Sequence, residues 1–190
     1  LASNLLVVSG VLTNQGRIEV HAGSGGQRLI TADLDNQGTF VSNAQLQFNK
    51  SRGVYTNSGG EFRVEAGQVL TIASGLQVFN QNGGDLVVDG DMNLSTMTFN
   101  INGGSVPSKA PLLYNCALNF GSSGAAAGVA NLKVRGRCTL NGDVASGQTI
   151  WVNGTTATDA VLTAANGLTN RGTIRLESSD SPVASNLVVT

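Results

Sequence analysis

The sequence predicts an all-β fold, a right-handed parallel β-helix (β-solenoid) of about eight to nine rungs of roughly 22 residues. Three observations carry that expectation. The first is a recurring unit. Residues 12–20 read L-T-N-Q-G-R-I-E-V and residues 168–176 read L-T-N-R-G-T-I-R-L. Between them the unit recurs with drift, as Leu34, Asn36, Gly38 and Phe40, then as Tyr55, Asn57, Gly59 and Phe62 with one extra Gly. A looser copy contains Phe79, Asn82, Gly83, Gly84 and Leu86. Asn14, Asn36 and Asn57 are 22 and 21 residues apart. The second observation is alternation. After each corner the apolar residues stand at every second position, with Ile18, Phe40, Phe62, Leu86 and Ile174 pointing inward, the period of a half-buried strand. The third is composition: 25 Gly against 3 Pro, with Leu, Ala, Glu and Lys never combined at helical spacing for more than a turn.

Each repeat is read as two short strands about an Asn/Gly corner. The strands before the corner are residues 5–8, 29–30, 69–72, 150–152 and 187–189, several introduced by Gly-Gln at Gly26, Gly67 and Gly147. Those after it are 17–20, 39–41, 61–65, 85–89 and 173–177. One such rung cannot bury its apolar face, whereas stacked rungs can, at about 4.8 Å per rung. Asn14, Gly16, Asn36, Gly38, Asn57, Gly59, Asn170 and Gly172 are assigned to corners, where Gly and Asn tolerate a positive φ. Stacked Asn side chains are expected to form a ladder. Residues 1–190 then form a single solenoid domain with irregular excursions near 107–131, marked by Pro107, Pro111 and the G-S-S-G-A-A-A-G of 121–128, and near 153–166. The A-S-N-L-V-V-T of 184–190 repeats the A-S-N-L-L-V-V of 2–8, so the tail reads as the start of a further rung. The chain is accordingly expected to be a segment of a longer repetitive protein, with flanking repeats as its neighbours.

Composition narrows the partners. A formal net charge of −1 with 12% charged residues opposes a nucleic-acid partner, which needs concentrated basic surface. At 41% hydrophobic the chain is too apolar for disorder. No apolar run of about 18 residues and no charged segment leading into an apolar stretch occurs in it, so neither a membrane span nor a signal peptide is expected.

Cys116 and Cys138 lie one rung apart in matching contexts, C-A-L-N and C-T-L-N. Equivalent positions on adjacent rungs are within reach of a disulfide. A rung-to-rung bridge is the favoured reading, ahead of two stacked buried thiols and of a metal site. No catalytic motif is found and no cofactor is expected. The single His, His21, lacks a nucleophile beside it in sequence and reads as an exposed turn residue. The acidic candidates arise from stacking: Glu61 is equivalent to Asp85 and Glu65 to Asp89, with Asp91 beyond and Arg63 on the same outward face. Such pairs could hold Ca²⁺ or serve sugar chemistry, but a solvated face is the favoured reading. Lys133, Arg135 and Arg137 alternate along one strand as an outward basic face able to attract an anionic glycan. Trp151, the only Trp, alternates with Ile150 and Val152 and is expected outward and partly exposed, whereas Tyr55 aligns with inward residues and is expected in the core.

The L-T-N-x-G-x-I-x-V unit at 12–20 and 168–176 resembles the repeats of large bacterial secreted surface proteins, the filamentous-haemagglutinin-like and autotransporter-passenger adhesins. The resemblance covers roughly residues 1–106 and 160–190. It implies an extracellular or cell-surface, non-enzymatic rod or adhesin segment whose partner would be a surface glycan or a receptor on a host or neighbouring cell. The alternative is a carbohydrate-active β-helix, a polysaccharide lyase or glycosidase, or a glycan-binding module. That alternative requires Glu61, Glu65, Asp85, Asp89 and Trp151 around one cleft.

Overall fold

Alternating apolar positions, short runs and repeated corners give the expected result. In a computed structural model describing residues 3–73, 75–121, 127–180 and 182–190, twenty strands stack in parallel. They build a β-solenoid of about eight turns spaced about 22 residues apart. The described residues contain no helix, and none is therefore long and apolar enough to cross a membrane.

Each turn has three sides, one more than the two strands per repeat read from the sequence. The first side stacks residues 28–30 on 46–48, 46–48 on 70–72 and 70–72 on 92–94, then 93–95 on 112–114, 112–114 on 133–135 and 130–134 on 148–152. The second stacks 11–14 on 33–36, 54–57, 78–81, 98–101 and 117–120. The third stacks 17–21 on 39–43, 61–64 and 85–88. The additional side is made by the residues just before each Asn, whose inward members are Leu34, Tyr55, Phe79 and Phe99. Arg28–Asn36 supplies first and second sides in one strand, with every second residue buried from Ile30 onward.

Stacking puts like on like inside. Phe40 lies 4.5 Å from Phe62 in a stacked pair, Phe62 meets Phe79 edge-on at 5.5 Å, and Phe79 stacks on Phe99 at 5.5 Å. Phe48 and Tyr55 join them at 4.5 Å. Burying each such ring contributes about 1.5–3 kcal/mol, and each ring pair about 0.5–1.5 kcal/mol more. From Leu113 onward the core is mostly aliphatic, built from residues such as Leu118, Leu132, Val134, Leu140, Ile150 and Leu162.

The Asn corners form the expected ladder. Asn14 Nδ2 donates to Asn36 Oδ1 at 2.7 Å, Asn36 Nδ2 to Asn57 Oδ1 at 2.9 Å, and Asn57 Nδ2 to Gln81 Oε1 at 3.2 Å. Each amide also ties down the next turn: Asn14 donates to Thr39 O, Asn36 to Glu61 O and Asn57 to Asp85 O. Gln81 closes the series by donating to Gly83 O and Gly84 O at 2.9 and 3.0 Å. All four side chains are buried, so this satisfaction is obligatory.

The reason for the corner glycines differs from the one expected. Gly16, Gly38, Gly59 and Gly172 do not have positive φ, nor do Asn14, Asn36, Asn57 and Asn170. Close approach constrains Gly38 instead, since a Cβ there would collide with Gly16 O, and one on Gly60 with Gly38 O; Gly84, in the looser copy, has both a positive φ and such a collision, with Gly60 O. The stacked residue is thus Gly60, while Gly59 is the inserted one, with open space where its Cβ would be.

The copy at 168–176 sits one side out of phase. Thr173–Ser178 stacks on residues 149–154 and so belongs to the first side, not the third. Asn170 is exposed, bridges Val144 and accepts from Gly172 N at 3.2 Å, outside the amide ladder. A Cβ on Gly172 would strike Ala145 O and Gln148 O, just as one on Gly90 would strike Glu65 O and Gln68 O. Gly172 therefore shares the corner between third and first sides with Gly90. The tail is displaced likewise: Ser185–Val189 pairs with Ala160–Ala164 on the second side, whereas residues 3–6 lie on the first. The two excursions are also smaller than expected. Leu112–Tyr114, Ala117–Phe120 and Ala127–Asn141 continue the stack through 107–131, of which residues 122–126 lie outside the described set. In 153–166 the departure is a tight turn closed by the Thr155–Thr158 bridge before Ala160–Ala164.

Candidate functional site

On the outer surface of the first side, the parallel register brings basic and aromatic side chains together. Lys133 pairs with Trp151 and Trp151 with Arg175, so the three follow one another along the rod axis. The Lys133 ammonium lies 3.9 Å from the centre of the indole ring and the Arg175 guanidinium carbon 4.9 Å from it. Two cations over one ring make a cation–π sandwich. Trp151 is half-buried, and its indole N–H is buried with no hydrogen-bond acceptor, an uncommon state for such a group.

Beside this stack, Arg135 donates from Nε and Nη2 to Asn153 Oδ1 at 3.2 and 2.8 Å. Asn153 in turn donates to Ser179 Oγ at 2.6 Å and Glu177 O at 3.3 Å. Arg175 pairs with Glu177, and Lys109 with Asp91. A groove of about 250 Å³ runs across these turns, lined by Asp91, Asn93, Lys109, Lys133, Arg135 and Trp151. Burial, followed by the positive charge of Arg135, pushes the Lys133 ammonium below the ordinary lysine range. Its nearest compensation is the ring face.

Arg137 does not share this face. The strand Ala127–Asn141 bends at Gly136, where φ is 64° and a Cβ would collide with Asn115 Oδ1. Arg137 thus passes to the second side, its backbone N–H donating to Asn115 Oδ1 at 2.8 Å. The alternation of Lys133, Arg135 and Arg137 is real, but a corner divides it.

The acidic candidates occupy the third side. Asp85 pairs with Glu61 as the repeat predicts, and Arg63 lies among the carboxylates. Arg63 donates to Glu61 Oε1 and Oε2 at 3.0 and 3.2 Å and also pairs with Asp89, while Ser105 donates to Asp85. Hydrogen bonding to Glu61 pushes the guanidinium pKa up, outweighing the effect of burial. Arg63 offsets only part of the charge of the four acidic candidates, and the face stays acidic. Glu61, Glu65, Asp85 and Asp89 are on a different side from Trp151, so the cleft required for the carbohydrate-active reading is not formed. Among the described residues no cluster of three His, Cys, Asp or Glu could hold a metal.

Cys116 and Cys138 fall at equivalent positions on adjacent turns, since Ala117 pairs with Thr139 and Leu118 with Leu140. The expected bridge is not formed, and both are buried free thiols. The two sulfurs are not bonded to each other; Cys138 Sγ accepts from Cys116 N at 3.4 Å, and both thiols donate to backbone carbonyls. Cys116 Sγ donates to Tyr114 O at 3.3 Å and Leu94 O at 3.4 Å, and Cys138 Sγ to Arg135 O at 3.4 Å. Burial pushes the Cys116 thiol up to about 11 and raises that of Cys138 as well, so both stay protonated and unreactive at neutral pH.

His21 ends the strand Arg17–His21, exposed, with Nε2 3.0 Å from Glu19 Oε2. Hydrogen bonds from His21 and then Arg17 hold the Glu19 carboxyl below its usual range. Tyr55 is core, as its alignment predicts: burial pushes its hydroxyl up to about 12, and Gln77 Nε2 donates to it at 3.4 Å.

One feature of the surface lacked a simple sequence signal, an outer amide ladder on the second side. Asn141 donates to Asn119, Asn119 to Asn100 and Asn100 to Asn80, each at 2.7 Å, and Asn80 donates to Thr56 at 3.2 Å. Only the spacing of 19 to 24 residues could have revealed it.

Fold and surface together define a parallel β-solenoid with one basic, aromatic face. No family model matches the chain, and no curated protein or solved structure matches it either.

Proposed function

We propose that the chain is a non-enzymatic structural or adhesive rod segment of a secreted or cell-surface bacterial protein. The observation that carries this reading is where the polar chemistry goes: it is spent between turns. The buried amides bond to one another and to the next turn's backbone, and the outer amides do the same. Lys50 bonds Asp33 at 2.6 Å across part of a turn, and Arg63 ties Glu61 to Asp89. Such bonding stiffens a rod along its axis and leaves no nucleophile, base and oxyanion donor converging among the described residues. The repeat's resemblance to surface adhesins supports the extracellular setting and a glycan or cell-surface receptor as partner.

Immunogold labelling of intact producing cells, with antibody raised against this chain, tests the location. Gold on the cell exterior is the expected outcome, and label confined to the cytoplasm overturns the reading. Incubation of the chain with acidic and neutral polysaccharides tests the absence of an activity. No new reducing ends or unsaturated products are expected, and sustained turnover refutes a purely structural role.

A further inference from the structure

We infer that the groove beside Trp151 binds an acidic polysaccharide, gripping carboxylate or sulfate groups with Lys133, Arg135 and Lys109. The inference deepens the adhesive reading by naming its ligand class, and it rests on that reading for location only.

Charge balance comes first. Arg175 and Lys109 have carboxylate partners in Glu177 and Asp91. Lys133 has none within ion-pair distance, and Arg135 bonds only the neutral amide of Asn153. Two cations two residues apart on one strand therefore project without an anion, about 6.6 Å from each other along the chain. Elsewhere on the rod, Arg17, Lys50 and Arg63 are matched by acids. Among the described residues Arg28, Arg52 and Arg137 form no ion pair either, but this groove brings two such cations together on one strand, although the whole chain carries a formal net charge of −1.

Lys133 is also partly desolvated, and the ring face at 3.9 Å with the charges of Glu177 and Asp91, both beyond ion-pair distance, offsets this only in part. An ammonium in that state gains from an arriving anion, to which it offers donors at little further desolvation cost. The buried indole N–H without an acceptor is a second, independent sign that this surface lacks a polar partner.

Shape selects the kind of anion. The groove crosses successive turns and is lined from Asp91 to Trp151. Turns repeat at about 4.8 Å, close to the length of one pyranose in an extended chain, so acid groups on neighbouring sugars would meet cations on neighbouring turns. Two cations already lie over the indole, so the ring is engaged by charge and is a poor platform for a sugar or a base to stack on. Recognition is by charge, and neutral glycans are excluded. A duplex would need a broader basic surface than two unmatched cations and one paired lysine provide.

Trp151 is the only Trp in the chain, so its fluorescence reports on the groove directly. The test titrates the full chain with polygalacturonate, with heparin, with neutral dextran and with single-stranded DNA. A saturable change in emission with polygalacturonate or heparin, weakened by added salt and absent with dextran, is expected. Tighter binding of polygalacturonate identifies carboxylate as the acid recognised, and tighter binding of heparin, which carries both acids, identifies a contribution from sulfate. Lys133→Gln and Arg135→Gln should each weaken binding about tenfold, the cost of one charge-assisted hydrogen bond. Arg137→Gln, on the second side, should leave it unchanged. Silence with both acidic glycans overturns the inference, as does equal loss in the Arg137 variant or DNA binding as tight as glycan binding. Exterior gold labelling alongside silent titrations would leave the rod reading intact and remove only its ligand.

Discussion

Residues 14–101 and residues 127–180 share one backbone plan and differ in what fills it. In the first region a buried amide ladder runs from Asn14 to Gln81 beside stacked rings from Phe40 to Phe99. In the second the inward positions are aliphatic or thiol apart from Gln148, and the aromatic residue is outside, with Lys133 and Arg175 over its ring. The first region has turned its distinctive chemistry inward, and the second has turned it outward. A solenoid needs only volume and apolarity at its inward positions. What is added beyond that specifies either stacking or surface.

The comparison can be broken most sharply in the core. Phe62→Ala removes a ring stacked on Phe40 and met edge-on by Phe79, and should cost about 3–5 kcal/mol in urea unfolding. Leu140→Ala in the second region should cost about 2–4 kcal/mol, and a larger loss there than at Phe62 would erase the distinction. Asn36→Ala is next. It leaves Asn57 Oδ1 without its donor in a buried setting and Asn14 Nδ2 with only Thr39 O, and should cost about 2–3 kcal/mol. The outer-ladder counterpart Asn119→Ala should change stability by no more than about 0.5 kcal/mol. Equal effects on the two would mean that burial does not set the worth of an amide rung. The third contrast is a pair of adjacent glycines. Gly60→Ala forces a methyl against Gly38 O and should cost about 1–3 kcal/mol, while Gly59→Ala, facing open space, should be nearly silent in thermal melts.

The inward alternation was legible because a two-residue period maps directly onto burial, and Phe40, Phe62, Leu86 and Tyr55 are core as read. The Asn ladder was legible because those residues recur at one turn's spacing. The second side was hidden because its strand ends on the same Asn that marks the corner, so that Leu34 and Tyr55 read as corner residues. The phase of residues 168–176 was hidden because different corners accept the same Asn-x-Gly chemistry. A better guide was present: continuing the step from Cys116 to Cys138 reaches Ala160 and Leu162, where the second side resumes. The Trp151 sandwich depended on that phase. Lys133 precedes Trp151 by 18 residues and Arg175 follows it by 24, steps that no fixed period predicts. The basic run was misread because Gly136, one residue among alternating charges, is a corner.

The buried amide ladder has a further consequence, for pairing errors during folding. A parallel stack of similar turns can mispair by a whole turn at small loss of apolar burial, because one turn's inward side chains resemble the next's. The ladder is short, however, and its members are not interchangeable. Gln81 ends it with a longer side chain that turns back onto Gly83 O and Gly84 O, and Ile101 and Phe120 occupy the same position in the following turns. A slip by one turn would set Asn57 against Ile101 with its amide unanswered in the core. Four side chains thus serve as an address, telling turns apart where the backbone cannot.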